Sequence, residues 1–279
     1  MIFLTTEEQT ERRQQKILQR IKEFRLLDDD FMTKCFEGDP KYIQFVLRII
    51  LEIPDLIVLD VKTQVFVENL VKRSLRLDVL ATDSQGRKIN VEIQRSDKGA
   101  DPKRARYHSS AIDTLILPKG EDFGALPETY VIFITEHDIF GNGLPVYHID
   151  RYIAETRASF GDDAHIVYVN GAYRGNDSFG MLMHDFACPN PDEMYFPVLA
   201  ERTRYFKESQ KGVLTMCKAF EEVREEGRLE GREEGIQIGQ RDLILEIMTR
   251  GKRSLEEISA FSGLPLEELK NIQIQSNPT

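Results

Sequence analysis

Cysteine is scarce in this chain. Cys35, Cys188 and Cys217 are odd in number and far apart, with no CxxC pair. That disfavours both a disulfide framework and a cysteine zinc site, and makes a reducing cytoplasm the expected compartment. The five histidines show neither HExxH nor HxH spacing. No apolar run approaches the roughly 18 residues of a membrane span; "FVLRII" is the densest stretch. The opening "MIFLTTEEQTERR" lacks a basic start, a long apolar stretch and a small-residue cleavage site, so it does not read as a secretory signal. Positive charge is also short: the formal net charge is -10, which at first argues against nucleic acid as a partner.

The distribution of charge matters more than its sum. Between Lys62 and Arg106 there are eleven Lys/Arg and six Asp/Glu, a local excess of five positive charges, so the remainder carries -15. With 279 residues and 41% hydrophobic content, the chain can build one large domain, alone or with an appendage.

Periodicity predicts a helix over about 7–26, opened by a Thr6/Gln9 capping box, then one after "LDDD" and a third over "KYIQFVLRIILEI", stopped before Pro54. Strands are expected at "LIVLDVKTQ", "SLRLDVLATD" and "KINVEIQ". A helix opening at Asp101-Pro102 follows, then a buried strand in "TYVIFITEHD" and short strands at "VYHI" and "AHIVYVNGA". Antiparallel strands followed by strand, helix, strand imply an α/β fold with a mixed sheet flanked by helices. We divide the chain into an N-terminal helix (1–27), the α/β domain (28–210), a charged glycine-punctuated helix (211–250) and a small helical hairpin (251–279).

The chemistry is concentrated in "GRKINVEIQRSD". Asn90, Glu92 and Gln94 alternate with Ile89, Val91 and Ile93, giving the strand one polar face. A three-residue turn at Ser84-Gln85-Gly86, with Gly86 at positive φ, sets Asp83 opposite Arg87 and Asp78 opposite Glu92. A two-residue turn would put Asp78 on the wrong face. Facing acids are unfavourable unless a positive charge lies between them. Asp78 and Glu92 are oxygen ligands of the kind Mg²⁺ or Mn²⁺ takes, and such an ion acidifies water and stabilises charge developing on phosphorus. Gln94 would orient that water. On the following helix, Arg104, Tyr107 and His108 share a face that suits phosphate contacts, with Arg95 adding charge nearby. The plainer alternative is a solvated sheet edge near Arg76 and Arg95, with an ordinary exposed helix face beside it.

"RLDVLATDSQGRKINVEIQ", "RARYHSSAIDTLIL", "YVIFITEHDIFGNGLPVYHI" and "HIVYVNG" together resemble the recombination-promoting nuclease and transposase family of the PD-(D/E)xK nuclease superfamily. The resemblance runs from about Asp28 to Lys207. It implies a restriction-endonuclease-like mixed sheet and Mg²⁺-dependent DNA cleavage. Its first acid falls on Asp78, its second on Glu92 and its lysine position on Gln94, where glutamine cannot supply lysine's positive charge. An additional acid from the first core helix falls on Asp30, for which a helix cap is the favoured plainer role.

The tail "EEVREEGRLEGREEGIQIGQ" has a four-residue period, with Gly227, Gly231, Gly235 and Gly239 in one column. Each glycine costs a helix up to about 1 kcal/mol relative to alanine. Such a helix either self-associates along that stripe or stays a solvated, charged helix. The last segment has a helix-turn-helix outline, but its second helix opens with Pro265, Glu267 and Glu268, which suits packing rather than base reading. The leading expectation is a metal-dependent DNA endonuclease tied to recombination or transposition. The alternatives are a cleavage-poor DNA-binding or assembly protein and a transposase proper.

Overall fold

The computed structural model describes residues 6–67, 74–95, 97–250, 254–267 and 269–271. Lys72 and Arg73 of the basic segment, and residues 272–279 of the expected terminal hairpin, lie outside the described residues. The first unit spans Met1–Cys217 and the second Lys218–Thr279.

The first unit opens with α1 (Thr6–Glu23), α2 (Asp29–Phe36) and α3 (Pro40–Ile50). Then come β1 (Val58–Val67), β2 (Leu75–Asp83), β3 (Lys88–Gln94), α4 (Pro102–Ile116), β4 (Thr129–Thr135), β5 (Val146–Ile149) and β6 (Ala164–Asn170). α5 (Ser178–Ala187), α6 (Pro197–Glu208) and the start of α7 (Gln210–Arg250) complete the unit. The strands form one six-stranded sheet in the order β1-β2-β3-β4-β6-β5. β1, β2 and β3 pair antiparallel, β3, β4 and β6 parallel, and β5 antiparallel to β6. β3, α4 and β4 therefore make a βαβ crossover in a mixed sheet flanked by helices, a restriction-endonuclease-like α/β fold.

β3 and β5 run over the expected residues. α4 starts as Asp101-Pro102 implied: the Asp101 carboxylate accepts from Lys103 N at 2.7 Å, and Pro102 takes the position where its missing N–H costs nothing. α4 covers one sheet face, where Leu77, Leu80, Ala105, Ile112, Val131, Phe133 and Tyr168 form a buried cluster. α5 has no counterpart in the sequence reading. Asp177 caps it by accepting from Gly180 N at 2.8 Å, and Phe186 O accepts from Leu27 N at 3.0 Å.

In the second unit, α8 (Leu255–Ser262) follows α7 and opens with a capping box between Ser254 and Glu257. Ile244, Ile258 and Leu269 form its small core, so the terminal helices pack on the end of α7. No described helix is long and apolar enough to cross a membrane.

Candidate functional site

The site begins at the β2–β3 turn. Gly86 has φ 84°, Gly86 N donates to Asp83 O at 3.1 Å and Asp83 N to Arg87 O at 3.2 Å. The buried Asp83 carboxylate holds the turn, accepting from Gln85 N at 3.0 Å, Arg87 N at 2.9 Å and Arg87 Nε at 2.6 Å. The ladder runs Thr82–Lys88, Ala81–Ile89, Leu80–Asn90, Val79–Val91, and one step further Asp78 meets Glu92. There the backbone pairing gives way to side chains. Asp78 N donates to Glu92 Oε1 at 3.1 Å, and Ile93 N donates to Asp78 Oδ2 at 3.3 Å.

Glu92 is fully buried. Its Oε1 also accepts from Asn90 Nδ2 at 3.0 Å, whereas Oε2 has no hydrogen-bond partner; Arg104 Nη2 lies 3.8 Å from it. Burial, then repulsion from Glu92 and Asp29, raises the Asp78 carboxyl well above the carboxylate range, to about 9. Asp29 is pushed to about 6 by burial, then by Asp30 and Glu92, with Arg76 opposing. Crowding of this kind, with acids desolvated and facing one another, is characteristic of functional sites.

A cavity of about 630 Å³ opens over these groups, lined among others by Asp29, Arg76, Asp78, Gln94, Arg104 and Tyr107. Acids and cations line it together. Gln94 reaches the cavity because Gly99, in the 3-10 turn Asp97–Ala100, has no side chain: a Cβ there would overlap the Gln94 carboxamide.

Asp78, Glu92, Gln94, Arg104 and Tyr107 thus come together; three other expectations shift. Asp30 is exposed, and it is Asp29 that faces the cavity. On a helix, adjacent residues point about 100° apart, so "DDD" could not say which acid turns inward. Arg95 ion-pairs with Asp28 at 3.0 Å and Glu136 at 3.2 Å, in a ring of charges closed by Arg25 on Glu136 at 2.9 Å. It ties α2 to the ends of β3 and β4 rather than facing the cavity. His108 is fully buried beneath Arg104 and edge-on to Phe133, out of reach of a phosphate. Lys103 and Arg76 also line the cavity; from the sequence Arg76 stands only at a solvated sheet edge, and Lys103 carries no role.

Among the described residues, no group of three or more His, Cys, Asp or Glu is arranged as a metal site. The donor chemistry nevertheless fits a hard divalent cation: two carboxylates with one unpartnered buried oxygen, beside a third acid, leave the rest of an octahedral shell to water or phosphate oxygen.

The six-stranded mixed sheet flanked by helices is consistent with a PD-(D/E)xK restriction-endonuclease-like α/β fold, and Asp78 and Glu92 lie side by side on its β2–β3 hairpin. Residues 46–171 match the family model described as PD-(D/E)XK nuclease family transposase, which bears out the resemblance read from the hairpin motifs. This supports a nuclease- or transposase-like function with DNA as substrate. No curated protein and no solved structure gives a significant match to the chain.

Proposed function

We propose that the chain is a Mg²⁺- or Mn²⁺-dependent DNA endonuclease that hydrolyses phosphodiester bonds in recombination or transposition. One observation carries the reading: Asp78, crowded from behind by the buried Glu92, lines a cavity together with Arg76, Lys103 and Arg104. Asp78 and Glu92 would hold the cation, with Asp29 as the neighbouring acid. A divalent ion there supplies Lewis-acid stabilisation of the charge that develops on the phosphate. Gln94 orients the attacking water by hydrogen bonding. Arg104 and Tyr107 contact the phosphate, and Arg76 and Lys103 attract the strand. Water adds to phosphorus and gives up a proton as the bond to the leaving sugar oxygen breaks, and that oxygen takes up a proton.

The test is cleavage of duplex DNA with Mg²⁺ by wild type and Asp78→Ala. We expect the variant to lose at least about 10²-fold in rate. Equal cleavage by both proteins removes Asp78 from the site.

A second reading, a cleavage-poor DNA-binding or assembly protein, is favoured by the neutral Gln94 and the net charge of -10. It predicts salt-sensitive DNA binding with no heat of Mg²⁺ or Mn²⁺ binding by calorimetry. In either case we infer self-association through α7. Leu229, Ile236 and Leu243 are exposed at seven-residue spacing, as on a coiled-coil seam. A Cβ added at Gly227, Gly231, Gly235 or Gly239 meets no atom within 4 Å, leaving that column open to a partner helix. The buried thiols of Cys35 and Cys188 suit the reducing cytoplasm.

A further inference from the structure

Arg104 is tethered on the cavity wall. Its Nε donates to His108 Nε2 at 3.2 Å, and its Nη2 lies 3.8 Å from Glu92 Oε2, the oxygen that lacks a hydrogen bond. A guanidinium only donates, so His108 Nε2 is the accepting nitrogen and the ring carries its proton on Nδ1. That nitrogen faces Glu92 Oε1 at 3.4 Å, the oxygen already held by Asn90 and the Asp78 amide. His108 lies edge-on to Phe133 with ring centroids 5.4 Å apart and is fully buried, so packing fixes its ring. On the other side, the space above Gly99 is shared: a Cβ there would overlap Gln94 and lie 3.6 Å from Arg104 Nη1. The guanidinium therefore lies beside Glu92 and near the space that Gln94 fills above Gly99, while 39% of the side chain's surface remains open.

We propose that Arg104 is a catalytic cation at the reacting phosphate, and that His108 is the positioning residue that aims it. This deepens the nuclease reading above and rests on it. Phosphoryl transfer to water builds negative charge on the phosphate oxygens, and catalysis depends on positive groups already oriented there. Gln94 is neutral where a lysine would be charged, so beyond the proposed cation any positive charge at the phosphate comes from a side chain locked in place. Arg104 is so locked. A surface cation that only gathers DNA has no need of a buried imidazole behind it.

The measurement is kcat and KM for Mg²⁺-dependent cleavage of a DNA duplex by wild type, Arg104→Gln, His108→Gln, His108→Phe and the His108→Phe/Arg104→Gln pair, with thermal unfolding of each. We expect Arg104→Gln to lower kcat about 10²-fold, with KM changed less than about 3-fold, as for a contact made mainly in the transition state. His108→Gln presents an amide oxygen that can still accept from Arg104 Nε, and it retains most of kcat. His108→Phe falls to the level of Arg104→Gln, and the pair is no worse than Arg104→Gln alone, because one residue acts through the other. Should His108→Phe fail to fold, Arg104→Lys decides. It keeps the charge without the Nε tether and is expected between wild type and Arg104→Gln, so wild-type kcat in Arg104→Lys overturns the positioning role. A loss confined to KM in Arg104→Gln, or losses that multiply in the pair, also overturns the inference. Wild-type cleavage with unchanged kcat in Arg104→Gln sinks this inference alone, whereas a wild type that cleaves no DNA with Mg²⁺ sinks the nuclease reading as well.

Discussion

Asp78 occupies a position where a charged carboxylate destabilises the fold. Burial, then Glu92 and Asp29, raises its folded-state pKa to about 9, so between the ordinary carboxylate range and that value the folded chain binds more protons than the unfolded one. The resulting stability is fully present below about pH 4 and is lost as pH rises toward 9; Asp29, raised to about 6, adds the same sign over a lower window. We therefore expect Asp78→Asn to be more stable than wild type at pH 8 in EDTA, by about 2–4 °C in Tm per kcal/mol relieved, with the difference vanishing at pH 4. A variant that melts at or below the wild-type temperature at pH 8 would refute this. At this scale the sequence was partly legible. The alternation of Asn90, Glu92 and Gln94 announces a polar face, but side-chain phase on α2 and α4 depends on packing. That is why Asp29 rather than Asp30 faces the cavity, and why His108 is buried rather than at the surface.

At the level of elements, the β2–β3 hairpin was the most legible part, because a turn glycine and a period of two determine register together. Asp83 is its anchor: three of its hydrogen bonds, one of them also a buried ion pair with Arg87 at 2.6 Å, close the turn. Asp83→Ala leaves Arg87 buried without its partner, a loss of about 3–5 kcal/mol. Urea unfolding at pH 7 measures this, and a change under about 1 kcal/mol would show that Gly86 alone sets the register. α5 went unread although its cap was visible. Asp177 precedes "SFGMLMHDFA", where Gly180 hides the helical pattern. That glycine is required by tertiary contact, because a Cβ on it would overlap the backbone of Gly175.

Across the whole molecule, charge is separated along the chain: the basic excess lies between Lys62 and Arg106 and acids dominate elsewhere, giving -10 overall. Because the basic stretch carries the cavity, DNA binding should depend on salt more steeply than the net charge implies. The second unit has its own small core, Ile244, Ile258 and Leu269, which the sequence reading had divided between two segments. Removing residues after Glu221 is expected to lower the mass seen in sedimentation; an unchanged mass rules out α7 as the assembly element. One feature of the sheet reaches furthest. Where β2 and β3 part, the amides of Asp78 and Ile93 bind carboxylate oxygens instead of the opposing strand. The carboxylates proposed to grip a cation are thus also the stitches of the central seam. An ion that drew them outward would loosen two backbone amides at the middle of the sheet, which would couple occupancy of the proposed site to cohesion of the scaffold.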